Sequence, residues 1–167
     1  ALCILSAINI GKIRDVSDLK SLCDLSVRSL DELIDFQGYP VEAAEIATKA
    51  RRSLGIGYIG LAHYLAKQGV KYGDPKAWEL VHDLTEAFQY HLIESTVNLA
   101  KEKGACEYSS RTKYGQGILP IDTYKKDVDE LVPNNLKYDW DSLRALVKEH
   151  GVRNSTLSAQ MPSESSS

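Results

Sequence analysis

Cysteine is scarce in this sequence. Its 167 residues hold three, Cys3, Cys23 and Cys106. An odd number at these spacings fits neither a disulfide framework nor a zinc site. A reducing, cytosolic setting is therefore the default expectation. Excess positive charge is lacking too. The formal net charge is −3, which argues against nucleic-acid binding by phosphate neutralisation. No apolar run approaches the roughly 20 residues that span a bilayer, so no membrane partner is expected. The opening has no positive n-region of a signal peptide, and its apolar run is broken by Ser6 and Asn9. No internal repeat appears. An initiator Met is also missing, and the chain opens inside an apparent strand and stops in a polar run. Both ends read as cuts, so a fragment of a larger protein is expected.

What is present suits a globular fold. Apolar residues make up 43% and charged residues 26%, in the range of folded domains with a sizeable core. Ala1–Ile8 reads as a strand buried on both faces. Residues 16–36 read as a helix with Asp15 as N-cap and a stripe of Val16, Leu19, Leu22, Cys23, Leu30, Leu33 and Ile34. That places Cys23 on the apolar face as a small core hydrophobe. A short helix over 41–50 follows the Gly38-Tyr39-Pro40 stop.

Gly55, Gly57 and Gly60 match the G-x-G-x-x-G spacing of a dinucleotide fingerprint, with Asp74 near the position of a ribose-binding acid. The residues before Gly55 look helical, whereas the fingerprint needs a strand there. Close backbone packing at the entry to a helix over Leu61–Lys67 is the better reading. Asp74-Pro75 starts a helix that runs to Lys103, with Trp78, Val81, Leu84, Phe88, Leu92, Ser95 and Leu99 as its stripe and Gly104 as its stop. At roughly 43 Å, this helix is long for so short a domain. His63, His82 and His91 have no ligand-forming neighbours at metal spacing and read as structural. Residues 105–138 read as irregular, Asp139 caps a helix over 140–150, and Val152–Ala159 reads as a second strand. Two apolar strands around a helical insertion indicate an α/β sheet or barrel that is largely helical in this stretch.

The end of the chain, Pro162-Ser163-Glu164-Ser165-Ser166-Ser167, has two readings on composition. One is a loose serine tail. The other is an anion-holding loop of hydroxyls and backbone N–H groups.

Several collinear stretches resemble one family, the large catalytic subunit of class I ribonucleoside-diphosphate reductase. They are Ala1-Leu2-Cys3-Ile4-Leu5-Ser6-Ala7, Arg51-Arg52-Ser53-Leu54-Gly55-Ile56-Gly57, Lys103-Gly104-Ala105-Cys106, Gly117-Ile118-Leu119-Pro120-Ile121-Asp122-Thr123-Tyr124-Lys125-Lys126-Asp127, Arg153-Asn154-Ser155-Thr156-Leu157 and Met161-Pro162-Ser163-Glu164. The resemblance implies that residues 1–167 are part of a ten-stranded α/β barrel. It implies radical chemistry that removes the 2′-hydroxyl of a ribonucleoside diphosphate. Residue type alone leaves Cys3 a core thiol; the resemblance makes it one of a redox-active cysteine pair whose partner lies upstream of Ala1. It makes Pro162, Ser163, Glu164, Ser165 and Ser166 the loop that holds the substrate diphosphate. Ser165 stands where Thr is more usual, which keeps the hydroxyl. Glu164 would favour a helix dipole or bond a sugar hydroxyl.

The implied partners are the remainder of the large subunit, a small metal-containing subunit that supplies the radical, and thioredoxin or glutaredoxin as dithiol reductant. No cofactor is expected on this stretch itself. The family's radical-bearing finger loop, nucleotide-sensing parts and C-terminal reducing cysteines have no counterpart here, so the piece is expected to be inactive alone. A non-catalytic helical interaction module, built on the long 75–103 helix, is the alternative.

Overall fold

A computed structural model describes residues 1–133 and 135–163 of the chain. Strand β1, Ile4–Asn9, passes through a 3-10 turn at Ile10–Lys12 to helix α1, Asp18–Phe36. Helix α2, Glu42–Arg51, leads into strand β2, Leu54–Ile59, and helix α3, Leu61–Lys67. Helix α4 spans Pro75–Lys103. Beyond it lie a single helical turn, α5, at Pro120–Thr123 and helix α6 at Trp140–His150.

β1 and β2 are parallel neighbours, with Ile4 opposite Leu54 and Asn9 opposite Ile59. A parallel pair needs a long crossover, which α1 and α2 supply. β2 is a strand that the sequence reading missed. Leu54-Gly55-Ile56-Gly57-Tyr58-Ile59 alternates large apolar residues with glycine, a period of two that the fingerprint spacing masks. Leu54 and Ile56 are buried. Only Gly60, with φ of 82°, serves as the helix entry that had been expected of all three glycines.

The expected strand over 152–159 pairs with β2, and only over its last residues. Leu54 N donates to Thr156 O at 3.1 Å, Ile56 N to Leu157 O at 2.8 Å, and Ala159 N to Ile56 O at 3.1 Å. A parallel bridge joins Ile56 to Ser158. β2 therefore lies between the two segments that the sequence reading took as the strands. The sheet is open and mixed with helix, which agrees with an α/β class.

The helices form where their patterns demand. Asp15 does not cap α1 directly; its carboxylate accepts from Ser17 N at 2.8 Å. Asp18, in the first turn, accepts from Arg14 N at 2.9 Å, so the helix begins two residues later than expected. Leu19, Cys23, Val27, Leu30 and Ile34 bury one face of α1 in the same core as Leu84, Phe88, Leu92 and Leu99 of α4. Trp78 and Leu33, expected in the stripes, are instead exposed. The Cys23 thiol donates to Phe88 O at 3.8 Å, and burial pushes its pKa up to about 12. It is a core thiol, as expected.

α6 is tied back by buried Glu86 of α4. Its carboxylate accepts from Lys137 N at 2.9 Å and Trp140 Nε1 at 3.0 Å. Asp139 caps the helix, accepting from Ser142 N at 3.0 Å. Arg144 of α6 then clamps Asp122 of α5 with two bonds, of 2.6 and 2.9 Å.

The α1–α4 interface predicts a sharp contrast within one residue type. Leu92 is fully buried and Leu25 of α1 is 63% exposed. Leu92→Ala is expected to lower stability by about 2–5 kcal/mol and Leu25→Ala by less than about 0.5 kcal/mol. Denaturant titration of the protein carrying this chain measures both, and equal losses would contradict the packing.

Candidate functional site

The two faces of the sheet differ. Leu54, Ile56 and Tyr58 turn toward the helices, where the Tyr58 ring meets Phe88 edge-on at 5.5 Å. The other face carries Cys3, Leu5, Gly55, Gly57, Ala159 and Met161, and Leu5 is exposed there. The glycines of β2 set the geometry of this face. A Cβ on Gly55 would stand 2.5 Å from Leu5 Cδ2, 3.2 Å from Cys3 Sγ and 3.4 Å from Ala159 Cβ. The Cys3 thiol and the 159–161 segment thus converge over Gly55 from opposite sides. A Cβ on Gly57 would lie 2.4 Å from Ala159 O and 3.1 Å from Met161 Sδ. The backbone of residues 159–161 crosses the sheet where only glycine leaves room. Gly55 and Gly57 are thus closely packed against their neighbours, the packing role preferred over the dinucleotide fingerprint, though within a strand and not at the helix entry.

Cys3 immediately precedes β1 and is held on both sides. Leu2 N donates to Thr48 Oγ1 at 2.8 Å and Ile4 N to Ser53 O at 3.2 Å. Its thiol is the exposed one of the three; Cys23 and Cys106 are buried. Partial desolvation raises the Cys3 pKa, so at neutral pH the group is a protonated thiol. Such a group can give up hydrogen and electrons in thiol–disulfide chemistry once a base or a partner thiol adjoins it.

The segment leading to Pro162 and Ser163 is clasped to the end of β2. Tyr58 N donates to Gln160 Oε1 at 3.0 Å and Gln160 Nε2 donates to Tyr58 O at 3.4 Å. This side chain continues the ladder where the backbone leaves it. Ser163 Oγ donates to Met161 O at 3.2 Å. Of the expected loop, Glu164, Ser165 and Ser166 lie outside the described residues. The structure therefore brings Cys3 and the approach to Pro162-Ser163 onto one open sheet face.

Sequence reasoning missed the polar cluster beneath this face. Asp31 of α1 has no exposed surface. Its Oδ1 accepts from Arg52 Nε at 2.6 Å and Asn154 Nδ2 at 2.9 Å, and its Oδ2 accepts from Arg153 Nε at 3.1 Å. Arg52 also reaches Asp35 through Nη1 at 3.0 Å and Nη2 at 2.8 Å. Two carboxylates thus face two guanidiniums. Removing one partner from such a buried pair costs about 3–5 kcal/mol, because it leaves a charge without compensation. A signal for it was present in the sequence. Asp31 falls on the apolar stripe between Val27, Leu30 and Ile34, where a carboxylate needs buried cations.

An apolar cavity of 560 Å³ lies on the helical side, between α3, α4 and the chain after Pro120. Trp78, Ile121, Tyr124 and Trp140 form part of its wall. Its one buried carboxylate, Glu86, is already occupied by backbone N–H groups and the Trp140 indole. Among the described residues, no group of three or more His, Cys, Asp or Glu side chains could hold a metal ion.

Parallel strands with helices packed on one face and an open face bearing a thiol define an α/β protein of barrel or open-sheet type. The family model described as ribonucleotide reductase, barrel domain, matches residues 1–167, and the chain belongs to that family. It is 59% identical over 167 residues to the ribonucleoside-diphosphate reductase subunit alpha of Haemophilus influenzae, covering all of this chain and 22% of the relative. It is 54% identical over 134 residues to ribonucleoside-diphosphate reductase 1 subunit alpha of Escherichia coli, covering 80% of this chain and 18% of the relative. The subunit alpha of Enterobacteria phage T4 is 46% identical over 168 residues, covering 99% of the chain and 22% of the relative. The chain thus spans about a fifth of the length of the curated relatives it matches.

The polar cluster predicts an acid response. The hydrogen-bonding Arg52 guanidinium holds the Asp35 carboxyl below its ordinary pKa of 3.8, against opposing desolvation. A depressed folded value means that the stabilisation is present above 3.8 and is lost as pH falls through the folded pKa. Asp35→Asn should therefore lose less stability than the wild type between about pH 5 and pH 2. Denaturation midpoints measured across that range test this; parallel acid slopes for the two proteins would contradict it.

Proposed function

We propose that residues 1–167 are part of the catalytic barrel domain of a ribonucleoside-diphosphate reductase large subunit, completed to ten strands by the rest of that subunit. Family membership over the whole chain supports this reading, and so does the exposed Cys3 thiol facing the 159–161 segment over Gly55. In this reading the substrate is a ribonucleoside diphosphate. Its 2′-hydroxyl leaves as water and is replaced by hydrogen. Two thiols supply two electrons and two protons and become a disulfide. Cys3 is one of the two, and its partner lies upstream of Ala1 in the longer protein. A radical from a metal-containing small subunit starts the chemistry. Thioredoxin or glutaredoxin returns the disulfide to thiols, which suits a reducing, cytosolic setting.

Pro162, Ser163, Glu164, Ser165 and Ser166 form the diphosphate loop in this proposal. Hydroxyl and backbone N–H donors suit that task because they bind the anion without adding a fixed charge. The glycine pair in β2 suits the same purpose, since it lets the 159–161 backbone lie low across the sheet and bring the loop toward the thiol face.

In the full-length protein, Cys3→Ser is expected to abolish multiple turnover with dithiol reductants while leaving ribonucleoside diphosphate binding intact. Steady-state product formation and equilibrium binding measure the two halves. Sustained multiple turnover by the mutant would remove Cys3 from the redox role.

A further inference from the structure

We infer that Asp31 is a positioning residue that fixes the register of the 154–160 segment on β2, and through it the placement of Pro162-Ser163. The inference rests on the proposed diphosphate loop for its functional half; the register half stands on the geometry alone.

The side-chain contacts along β2 share one offset, although the main-chain ladder is irregular, with Leu54 N and Ile56 N bonding the consecutive carbonyls of Thr156 and Leu157. Asn154 Nδ2 donates to Arg52 O and Thr156 Oγ1 to Leu54 O, at 3.2 Å each and 102 residues apart. Ser158 bridges to Ile56, and the Gln160 clasp joins Tyr58, again 102 residues away. The sequence of the 154–160 segment does little to choose this offset. Ser155-Thr156-Leu157-Ser158-Ala159-Gln160 holds a single large apolar residue, Leu157, and a polar, small-residue strand slips easily. A slip by one residue would turn Ala159 and Met161 away from the open face.

The ladder is fixed at its start. Asp31 bonds Arg52, the residue that enters β2, and Arg153 and Asn154, which enter the facing segment. Its main-chain oxygen also accepts from Arg52 Nη2 at 2.7 Å. Arg52 adopts a φ of 50°, the one positive φ at a non-glycine among the described residues. Such a conformation persists where surroundings over-determine it, and the carboxylate cluster does so. Thr96 of α4 closes the other side, donating to Asn154 Oδ1 and accepting from Asn154 N, both at 2.9 Å. Between this anchor and Pro162 the side chains of Asn154, Thr156 and Gln160 hold the shared offset, so an error at Asp31 is carried toward Pro162-Ser163.

The test uses full-length protein with Asp31→Asn, which places an amide donor against guanidinium donors. Two readouts are taken. Amide hydrogen exchange is expected to lose protection at Ile56 and Ala159 while the α4 core around Leu92 stays protected. The KM for a ribonucleoside diphosphate is expected to rise about tenfold or more, with kcat changed far less, as displacement of a binding loop produces. Asp31→Glu, which restores the charge, is expected to recover part of the KM. If Asp31→Asn does not fold, Arg153→Met is read in the same way, since it removes one of the three donors and leaves Arg52 on Asp31. Exchange loss spread equally over α4, or an unchanged KM with kcat lowered, would make Asp31 a general stability residue and overturn the inference. A wild type that turns over no ribonucleoside diphosphate would overturn the functional half together with the proposed function, while the exchange pattern still decides the register half.

Discussion

A carboxylate with no access to water lies at the centre of this fold. Asp31 sits on the apolar face of α1, and a lone charge there would be costly to bury. Arg52, Arg153 and Asn154 make it tolerable, and they come from two distant points of the chain's path. Arg52 ends α2 and opens β2. Arg153 and Asn154 follow α6 and open the segment that pairs with β2. One buried anion on α1 thereby joins the α2–β2 junction to the start of the segment after α6, 102 residues later. Hydrophobic packing of α1 against α4 is non-directional and chooses no register. The directional bonds at Asp31 add that specificity.

The second constraint is the glycine pair in β2. On the helical side, β2 presents Leu54, Ile56 and Tyr58 to a packed core. On the other side it presents almost nothing, and the vacated space is filled by Leu5, the Cys3 thiol and the 159–161 backbone. The same strand is thus a core element on one face and a receptor for incoming chain on the other. The proposed reductase chemistry needs such a face, because a thiol must meet a substrate held by a neighbouring loop. A larger side chain at Gly55 or Gly57 would push the two apart.

The sequence was most legible where one period dominates. The limits of α4 and α6 follow from Asp74-Pro75 with Gly104 and from Asp139 with Gly151, and the structure matches them. β2 was not legible, because glycine at alternate positions imitates a nucleotide fingerprint and weakens every strand signal. The partner of 152–159 was not legible for the same reason, since β2, the strand it pairs with, was hidden. Cys23 could be read as core from its helical spacing. Cys3 could not be assigned from spacing at all, and its candidate role came from resemblance. The position of Asp31 on an apolar stripe signals a buried carboxylate, but its partners could not be read because they lie as many as 123 residues away.

The proposed chemistry requires above all that Cys3 be oxidised during turnover. The direct measurement is a single turnover of full-length protein with ribonucleoside diphosphate and the radical-supplying subunit, in the absence of dithiol reductant. Free thiols are then alkylated and peptides analysed by mass spectrometry. The Cys3 peptide is expected to become disulfide-linked to a cysteine peptide from upstream of Ala1, in proportion to the deoxynucleotide formed. Product formed while Cys3 remains fully alkylated would contradict the proposed chemistry.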